Sequence, residues 1–156
     1  MLVKVSNQSK QIWMYKNIFI DANIILDIFD KNRLSHQSSI DFYSFVTTNR
    51  YKLFTSCDII TTLYYVESRN NKQDALLKIR GINKILKVIE FSNKEVEETC
   101  NLMLEDKDYK DLEDTIQYIL AKKLKCDIII SNDKSFVSKN IKIQSSEEFC
   151  KENEIT

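Results

Sequence analysis

The stretch that most limits the possible folds lies near the amino terminus, where a short apolar run ends at an acidic residue. The run is Ile18-Phe19-Ile20, the acid is Asp21, and a second apolar stretch follows at residues 24–29. Bulky side chains without polar alternation predict a strand that is buried on both faces, as in parallel sheets. Ligands of open α/β sheets bind just beyond the carboxyl ends of the strands. Asp21 is therefore predicted to lie at a binding edge.

Further short apolar runs alternate with stretches of helical periodicity along the rest of the chain. Strands are predicted at residues 52–55, 88–91, 127–131 and 142–143. One or two helices between successive strands favour parallel pairing with helices on both faces of the sheet. We therefore predict a three-layer α/β/α sandwich with a central parallel sheet of four to five strands.

The length and composition suit a single domain. A chain of 156 residues can bury roughly two-thirds of its unfolded surface in one core. Residues 1–15 are polar and mostly irregular in pattern, so we interpret them as an N-terminal extension, with an added strand as the alternative. Residues 16–156 are predicted to form the domain.

Charge and cysteine content exclude some functional classes. Lysine plus arginine and aspartate plus glutamate both number 23, so no overall field indicates a nucleic-acid partner, although the distribution of charge matters more than its sum. The cysteines form no CxxC pair and give no zinc signature. The sequence contains neither a signal peptide nor an apolar run of ~20 residues. We expect a cytoplasmic protein without a membrane partner.

Acidic residues from separate segments are predicted to meet at one edge of the sheet. Asp21 and Asp133 each follow a strand, whereas Asp111 and Asp114 begin the helix that leads into the strand at 127–131. A crossover helix runs antiparallel to its strand, so its amino end faces the same edge as the strand's carboxyl end. An acid at a helix amino terminus often only complements the helix dipole. Convergence from several segments favours a shared site.

Such a cluster indicates a particular chemistry. Neighbouring carboxylates repel one another, and some of their pKa values rise unless a counter-charge is present. Magnesium relieves this repulsion, because it binds through one or two carboxylates, with water and substrate phosphate as its other ligands. A cation of this kind activates water for phosphodiester cleavage.

Three motifs together resemble the PIN domain, the fold of VapC-like toxins and related nucleases. They occupy residues 19–27, 111–118 and 127–136. The resemblance implies a ribonuclease that depends on magnesium or manganese, acts on RNA and is paired with a small antitoxin; homodimers are common in such toxins. It carries over Asp21, Asp114 and Asp133 as catalytic, metal-binding acids, and Asn23 and Ser131 as their polar supports.

One departure from the family pattern affects the site. The family places an acid early in the helix after the second strand, near Thr61-Thr62, where this chain has none. Glu67 is a tentative replacement further along that helix, and Asp111 or Glu113 are the other sources of the missing charge. Without the acid, activity is expected to be reduced.

The alternative hypothesis is a PIN-like regulatory protein that binds RNA or a protein with weak or no catalysis. It depends on lysines that are candidates for contacts to phosphate. These are Lys122, Lys123, Lys125, Lys134, Lys139 and Lys142.

Overall fold

The computed structural model describes residues 17–156 in full and the backbone of residues 3–7 and 10–14. Strands β1 (Val3–Asn7) and β2 (Lys10–Met14) pair antiparallel in a two-stranded sheet of their own. These two strands lie within the segment interpreted as an N-terminal extension, whose irregular sequence pattern did not predict them. The added strand was the alternative, but these strands pair with each other rather than with the main sheet. The domain boundary at residue 16 remains a prediction.

The central sheet contains five parallel strands in the order β5-β4-β3-β6-β7. Their bounds are Asn17–Ile20 for β3, Lys52–Ser56 for β4, Lys87–Ile89 for β5, Ile128–Ile130 for β6 and Lys142–Gln144 for β7. The first predicted strand of the domain, β3, lies in the middle, with Phe19 level with Phe54 on one side and Ile129 on the other. The predicted parallel sheet is confirmed.

Seven helices accompany the strands in the described part of the chain. They are α1 (Ala22–Phe29), α2 (His36–Thr48), α3 (Cys57–Glu67), α4 (Lys72–Asn83), α5 (Asn93–Glu105), α6 (Leu112–Lys123) and α7 (Ser146–Glu152). Helices α5 and α6 pack against each other, while α1 and α7 both pack against α2, so that two helical groups enclose the sheet. This is the predicted three-layer sandwich. None of the described helices is both long and apolar enough to cross a membrane.

The core is centred on the two middle strands, whose apolar runs are completely buried. Every side chain of Ile18–Ile20 and of β6 is fully inaccessible to solvent. Helix α6 is buried from Thr115 to Ala121 without interruption. Leu112 is 52% exposed, because it occupies the first helical position, beyond the packed part of α6. This burial positions the amino end of α6 at the edge of the sheet.

Candidate functional site

Asp21 lies at the point where the central strand meets its helix. Its backbone N–H donates to the carbonyl oxygen of Ile130 on β6 at 3.0 Å, which continues the sheet pairing beyond β3. The same residue is the N-cap of α1, and its Oδ1 accepts a hydrogen bond of 2.7 Å from the backbone N–H of Ala22. The carboxylate is therefore fixed at the carboxyl edge of the sheet, where it is only 4% exposed.

Asn23 and Ser131 both contact the second oxygen of this carboxylate. Ser131 Oγ donates to Asp21 Oδ2 at 2.7 Å, and Asn23 Nδ2 donates to the same oxygen at 2.8 Å. Asn23 Oδ1 also accepts from the backbone N–H of Asn132 at 3.0 Å. The structure thus brings both predicted supporting residues into direct contact with Asp21, and it joins the end of β3 to the end of β6.

Asp114 is presented by the amino end of α6. Asp111 is the N-cap of this helix, and its Oδ1 accepts a 2.9 Å hydrogen bond from the backbone N–H of Asp114. Burial raises the pKa of the Asp114 carboxyl to about 7, and the nearby charges of Asp21, Asp111, Asp133 and Glu113 act in the same direction. Asp114 is therefore influenced by two acids from other segments, Asp21 and Asp133, and by two at the amino end of its own helix.

Asp133 completes a group that we call the acid cluster, defined as Asp21, Asp114 and Asp133. The backbone N–H and the hydroxyl of Ser135 both donate to Asp133 Oδ1, at 2.8 and 2.7 Å. Burial raises the pKa of Asp21, and the charge of Asp133 raises it further, against the hydrogen bonds from Ser131 and the backbone of Ala22. The three predicted acids are therefore close enough for the charge of Asp133 to raise the pKa of Asp21, and for the charges of both to raise the pKa of Asp114.

Glu113, on α6, lies near the position on α3 where the family pattern expects an acid. The hydroxyl of Thr62 is close enough to the Glu113 carboxylate to act to lower its pKa. Burial is the larger effect and raises that pKa, as do the charges of Asp58, Asp21 and Asp111. A carboxylate from α6 therefore lies against the position on α3 that lacks one.

Asp58 is a member of this environment that sequence reasoning missed. Ser56 is the N-cap of α3, and Asp58 lies within the first turn and accepts a hydrogen bond from the Ser56 hydroxyl. Its charge raises the pKa of Glu113. The signal that could have identified it is the one used for Asp114: an acid in the first turn of a helix that begins at the carboxyl edge.

The structure does not bring Glu67 to the cluster. Its carboxylate accepts a hydrogen bond from Lys78 Nζ at 2.9 Å, between α3 and α4. Nine residues separate it from Asp58, which corresponds to about 14 Å along a helix axis. The tentative assignment is corrected for that reason: later positions on α3 lead away from the edge where its first turn lies.

Gln117 is a second residue that the sequence did not single out. It lies one turn after Asp114, is 1% exposed, and neither polar atom of its carboxamide has a hydrogen bond of normal geometry to the described residues. The carboxamide is nevertheless close enough to Asp21 to lower the pKa of that carboxyl. Buried polar groups are rarely unpaired, so this side chain points to an additional partner at the site.

The donor set fits a hard divalent cation. Among the described residues, no three histidine, cysteine, aspartate or glutamate side chains converge closely enough to ligate one ion together. Magnesium does not require this, because it binds one or two carboxylates directly and keeps several waters. The named charges acting on Asp21, Asp114 and Glu113 are all negative. A cation would supply the counter-charge that these carboxylates lack.

Two open cavities flank the acid cluster. The first measures about 450 Å³ and is lined by Tyr109, Asp111, Asp114 and Ser135, among others. The second measures about 550 Å³, and its lining includes Asn23, Asp27, Asn32, Arg33, Asn132 and Asp133. Because a cluster acid lines each cavity, an extended substrate can cross the acids and occupy both sides.

Comparison with known proteins places these features in a family. Residues 17–135 match the family model described as PIN domain. A ribonuclease VapC1 of Aquifex aeolicus is 47% identical over 135 residues, which cover 86% of this chain and 94% of that protein. VapBC2 from Rickettsia felis, solved bound to a DNA fragment from its promoter, superposes with a TM-score of 0.64 at 16% identity, covering 83% of this chain and 98% of that one. Mycobacterium tuberculosis VapC20, a sarcin-ricin loop cleaving toxin, gives 0.62 at 12% identity, with coverages of 76% and 92%.

Proposed function

This chain belongs to the PIN-domain family, and on that premise we propose that it is a toxin ribonuclease that hydrolyses RNA phosphodiester bonds with the help of magnesium or manganese. The observation that carries the proposal is the acid cluster, in which carboxylates come from three separate segments: the charge of Asp133 raises the pKa of Asp21, and the charges of both raise the pKa of Asp114. The 47% identity to a ribonuclease supports the same reaction.

The cluster residues have distinct roles in this proposal. Asp21, Asp114 and Asp133 would hold the cation, one or two of them directly and the remainder through its bound waters, and Asn23 and Ser131 orient Asp21 through their hydrogen bonds to its Oδ2. When bound, the cation activates water and stabilises the leaving oxygen of the phosphodiester. The Ser131 hydroxyl also accepts from the backbone N–H of Asp133 at 3.1 Å, so it ties two cluster acids together.

We further propose that Glu113 replaces the acid that is absent near Thr61-Thr62. Its carboxylate faces the Thr62 hydroxyl and is influenced by the charge of Asp21. Asp111 contributes differently, because it caps α6 and fixes the backbone of Asp114. With Glu113 in this role, the expected reduction in activity does not follow.

The alternative of binding without catalysis loses much of its support. Among the lysines on which it depended, Lys123 pairs with Glu95, Lys139 with Asp106 and Asp108, and Lys142 with Glu152. Half of the six lysines are thus partly neutralised within the protein, which weakens the case for RNA binding through them.

We propose a small antitoxin protein as the physiological partner. A toxin–antitoxin complex from Klebsiella pneumoniae has the same fold with a TM-score of 0.59, and 97% of that solved chain is matched here. Homodimerisation is expected from the family resemblance alone.

Induced expression should arrest growth, and the Asp114→Asn variant should allow growth to continue.

The test in solution uses purified protein with single-stranded and structured RNA. We expect cleavage with manganese or magnesium, none with a chelator, and at least a roughly 100-fold loss in Asp21→Asn and Asp114→Asn, since each removes a charge that holds the cation. Asp74→Asn is the matched control, because Asp74 lies on α4 and pairs with Lys78. Cleavage that persists unchanged in Asp114→Asn would refute the proposal.

A further inference from the structure

We infer that Arg33 and the cavity beside it form a subsite for a phosphate group of the RNA strand, next to the phosphate that is cleaved. The inference rests on the proposed ribonuclease function and adds to it the position of a neighbouring nucleotide. Arg33 lies in the loop between α1 and α2, and it lines the cavity of about 550 Å³.

Arg33 is anchored through one nitrogen only. Its Nε donates to Asp27 Oδ1 at 2.5 Å, and Asp27 is 4% exposed. No ion pair or hydrogen bond links the terminal guanidinium nitrogens to another described side chain, and 38% of the arginine side chain is exposed. The anchored nitrogen fixes the plane of the guanidinium group. The terminal nitrogens remain available to donate hydrogen bonds to a ligand.

The anchor is itself held rigidly. Asn132 Nδ2 donates to Asp27 Oδ2 at 2.6 Å, so both carboxylate oxygens of Asp27 are engaged. Asn132 Oδ1 accepts from the backbone N–H of Ser146 at 2.9 Å, and the backbone oxygen of Asp27 contacts His36 Nδ1 at 2.7 Å. Contacts from α1, α2, α7 and the end of β6 therefore preorganise the guanidinium, which lowers the entropic cost of binding.

The position and the chemistry both favour phosphate as the ligand. The cavity that Arg33 lines also contains Asn23 and Asp133, so it is continuous with the acid cluster. Carboxylates dominate that cluster and repel RNA, and Arg33 supplies positive charge in the same groove. A guanidinium binds phosphate oxygens through two parallel N–H donors, a geometry that lysine does not offer.

The test measures RNA binding without cleavage. A fluorescent single-stranded RNA is titrated, in the presence of a chelator that prevents cleavage, with wild-type protein, Arg33→Gln and Arg33→Lys over a series of potassium chloride concentrations. Arg33→Gln is expected to bind about tenfold more weakly, with the slope of log affinity against log salt smaller by about 0.7, the value for one phosphate contact to a single strand. Arg80→Gln is the matched control, because Arg80 is exposed on α4 and lines none of the cavities described.

Arg33→Lys keeps the test informative if the neutral variant folds poorly. Its ammonium group retains a positive partner for the buried Asp27, so the fold is expected to survive, as thermal unfolding would verify. It lacks the second donor for phosphate, so its RNA affinity should still fall. Wild-type affinity and salt slope in both variants would overturn the subsite while leaving the ribonuclease proposal intact. Failure of the wild type to cleave RNA with any divalent cation would instead refute the ribonuclease proposal.

Discussion

At the scale of single residues, Asp21 shows that burial and repulsion between carboxylates make the charged form of the site unfavourable. Its carboxylate accepts hydrogen bonds from Ala22, Asn23 and Ser131, each of which favours the charged form. Its pKa is nevertheless raised, because burial and the charge of Asp133 oppose them. Functional sites commonly carry such costs at the expense of stability. Removing one acid should therefore strengthen the fold and weaken the function.

We expect Asp114→Asn to stabilise the protein in the presence of a chelator. The substitution removes a half-buried charge that is repelled by Asp21, Asp111, Asp133 and Glu113. With allowance for solvent screening, the free energy of unfolding should rise by about 1 kcal/mol, as measured by urea denaturation. Asp74→Asn should give no increase, because Asp74 has a favourable ion pair with Lys78 at 3.0 Å. Lower stability in Asp114→Asn would contradict the repulsion described here.

Gln117→Met should separate stability from cation binding. Methionine retains the approximate shape of glutamine but removes two buried polar atoms that have no normal hydrogen bond to the described residues. The free energy of unfolding should rise by about 1–2 kcal/mol, and the affinity for manganese, measured by calorimetry, should fall several-fold.

Gln144→Met is the comparison for that experiment. Gln144 Oε1 likewise has no hydrogen-bond partner among the described residues, but its Nε2 donates to Glu152 at 2.6 Å. Its replacement loses this bond and should neither stabilise the protein nor alter manganese binding. Unchanged manganese affinity in Gln117→Met would limit Gln117 to a packing role.

At the scale of elements, α6 shows what sequence reasoning can and cannot establish. Its position, its direction and the placement of Asp114 followed from helical periodicity and from the rule that crossover helices run antiparallel to their strands. The meeting of Glu113 with Thr62 did not follow. Whether side chains from α3 and α6 touch depends on the distance and rotation between two helices, which periodicity within either one does not specify. The same limit explains why Asp58 was missed.

The link between α5 and α6 gives a prediction for pH. Glu95 completes the capping box of α5 and accepts a 2.7 Å hydrogen bond from Lys123 on α6. Lys123 lowers the pKa of Glu95 from its ordinary value of 4.5 to about 2, with help from Ser92. A carboxyl whose pKa is depressed by folding stabilises the native state above its unfolded pKa, and this contribution is lost as pH falls toward the folded value. Stability should therefore decline between pH 4.5 and about 2.

Lys123→Met should remove part of that decline. Urea unfolding at several pH values in this range would measure it, with Lys151→Met as the control. Lys151 also lowers the pKa of a partner, Glu147, but that pair is exposed on α7. We expect a clear flattening of the pH dependence for Lys123→Met and a smaller one for Lys151→Met. Equal effects would mean that the contact between α5 and α6 contributes no more than an ordinary surface ion pair.

At the scale of the whole molecule, alternation of strands and helices predicted the three layers and the parallel sheet. The prediction that the acids lie at one edge of the sheet came from the same topology, since β3 and β6 end side by side. The pairing of β1 with β2 was not foreseen, because a polar segment without helices between its strands offers no periodic signal of burial. Topology could thus be inferred where a buried core enforces it.

Cation binding should couple the whole fold to the site, because the acids come from segments that are distant in the chain. A ligand that binds only the native state stabilises it by about 2.7 kcal/mol at a concentration 100 times its Kd. For a protein of this size the melting temperature should then rise by roughly 5–10 °C. We expect this rise with manganese in the wild type and in Asp74→Asn, and little or none in Asp21→Asn or Asp133→Asn, as measured by differential scanning calorimetry. An equal rise in the variants would place the bound cation elsewhere, because a site that spans β3, α6 and the end of β6 cannot lose one of its acids without weakening its hold on the ion.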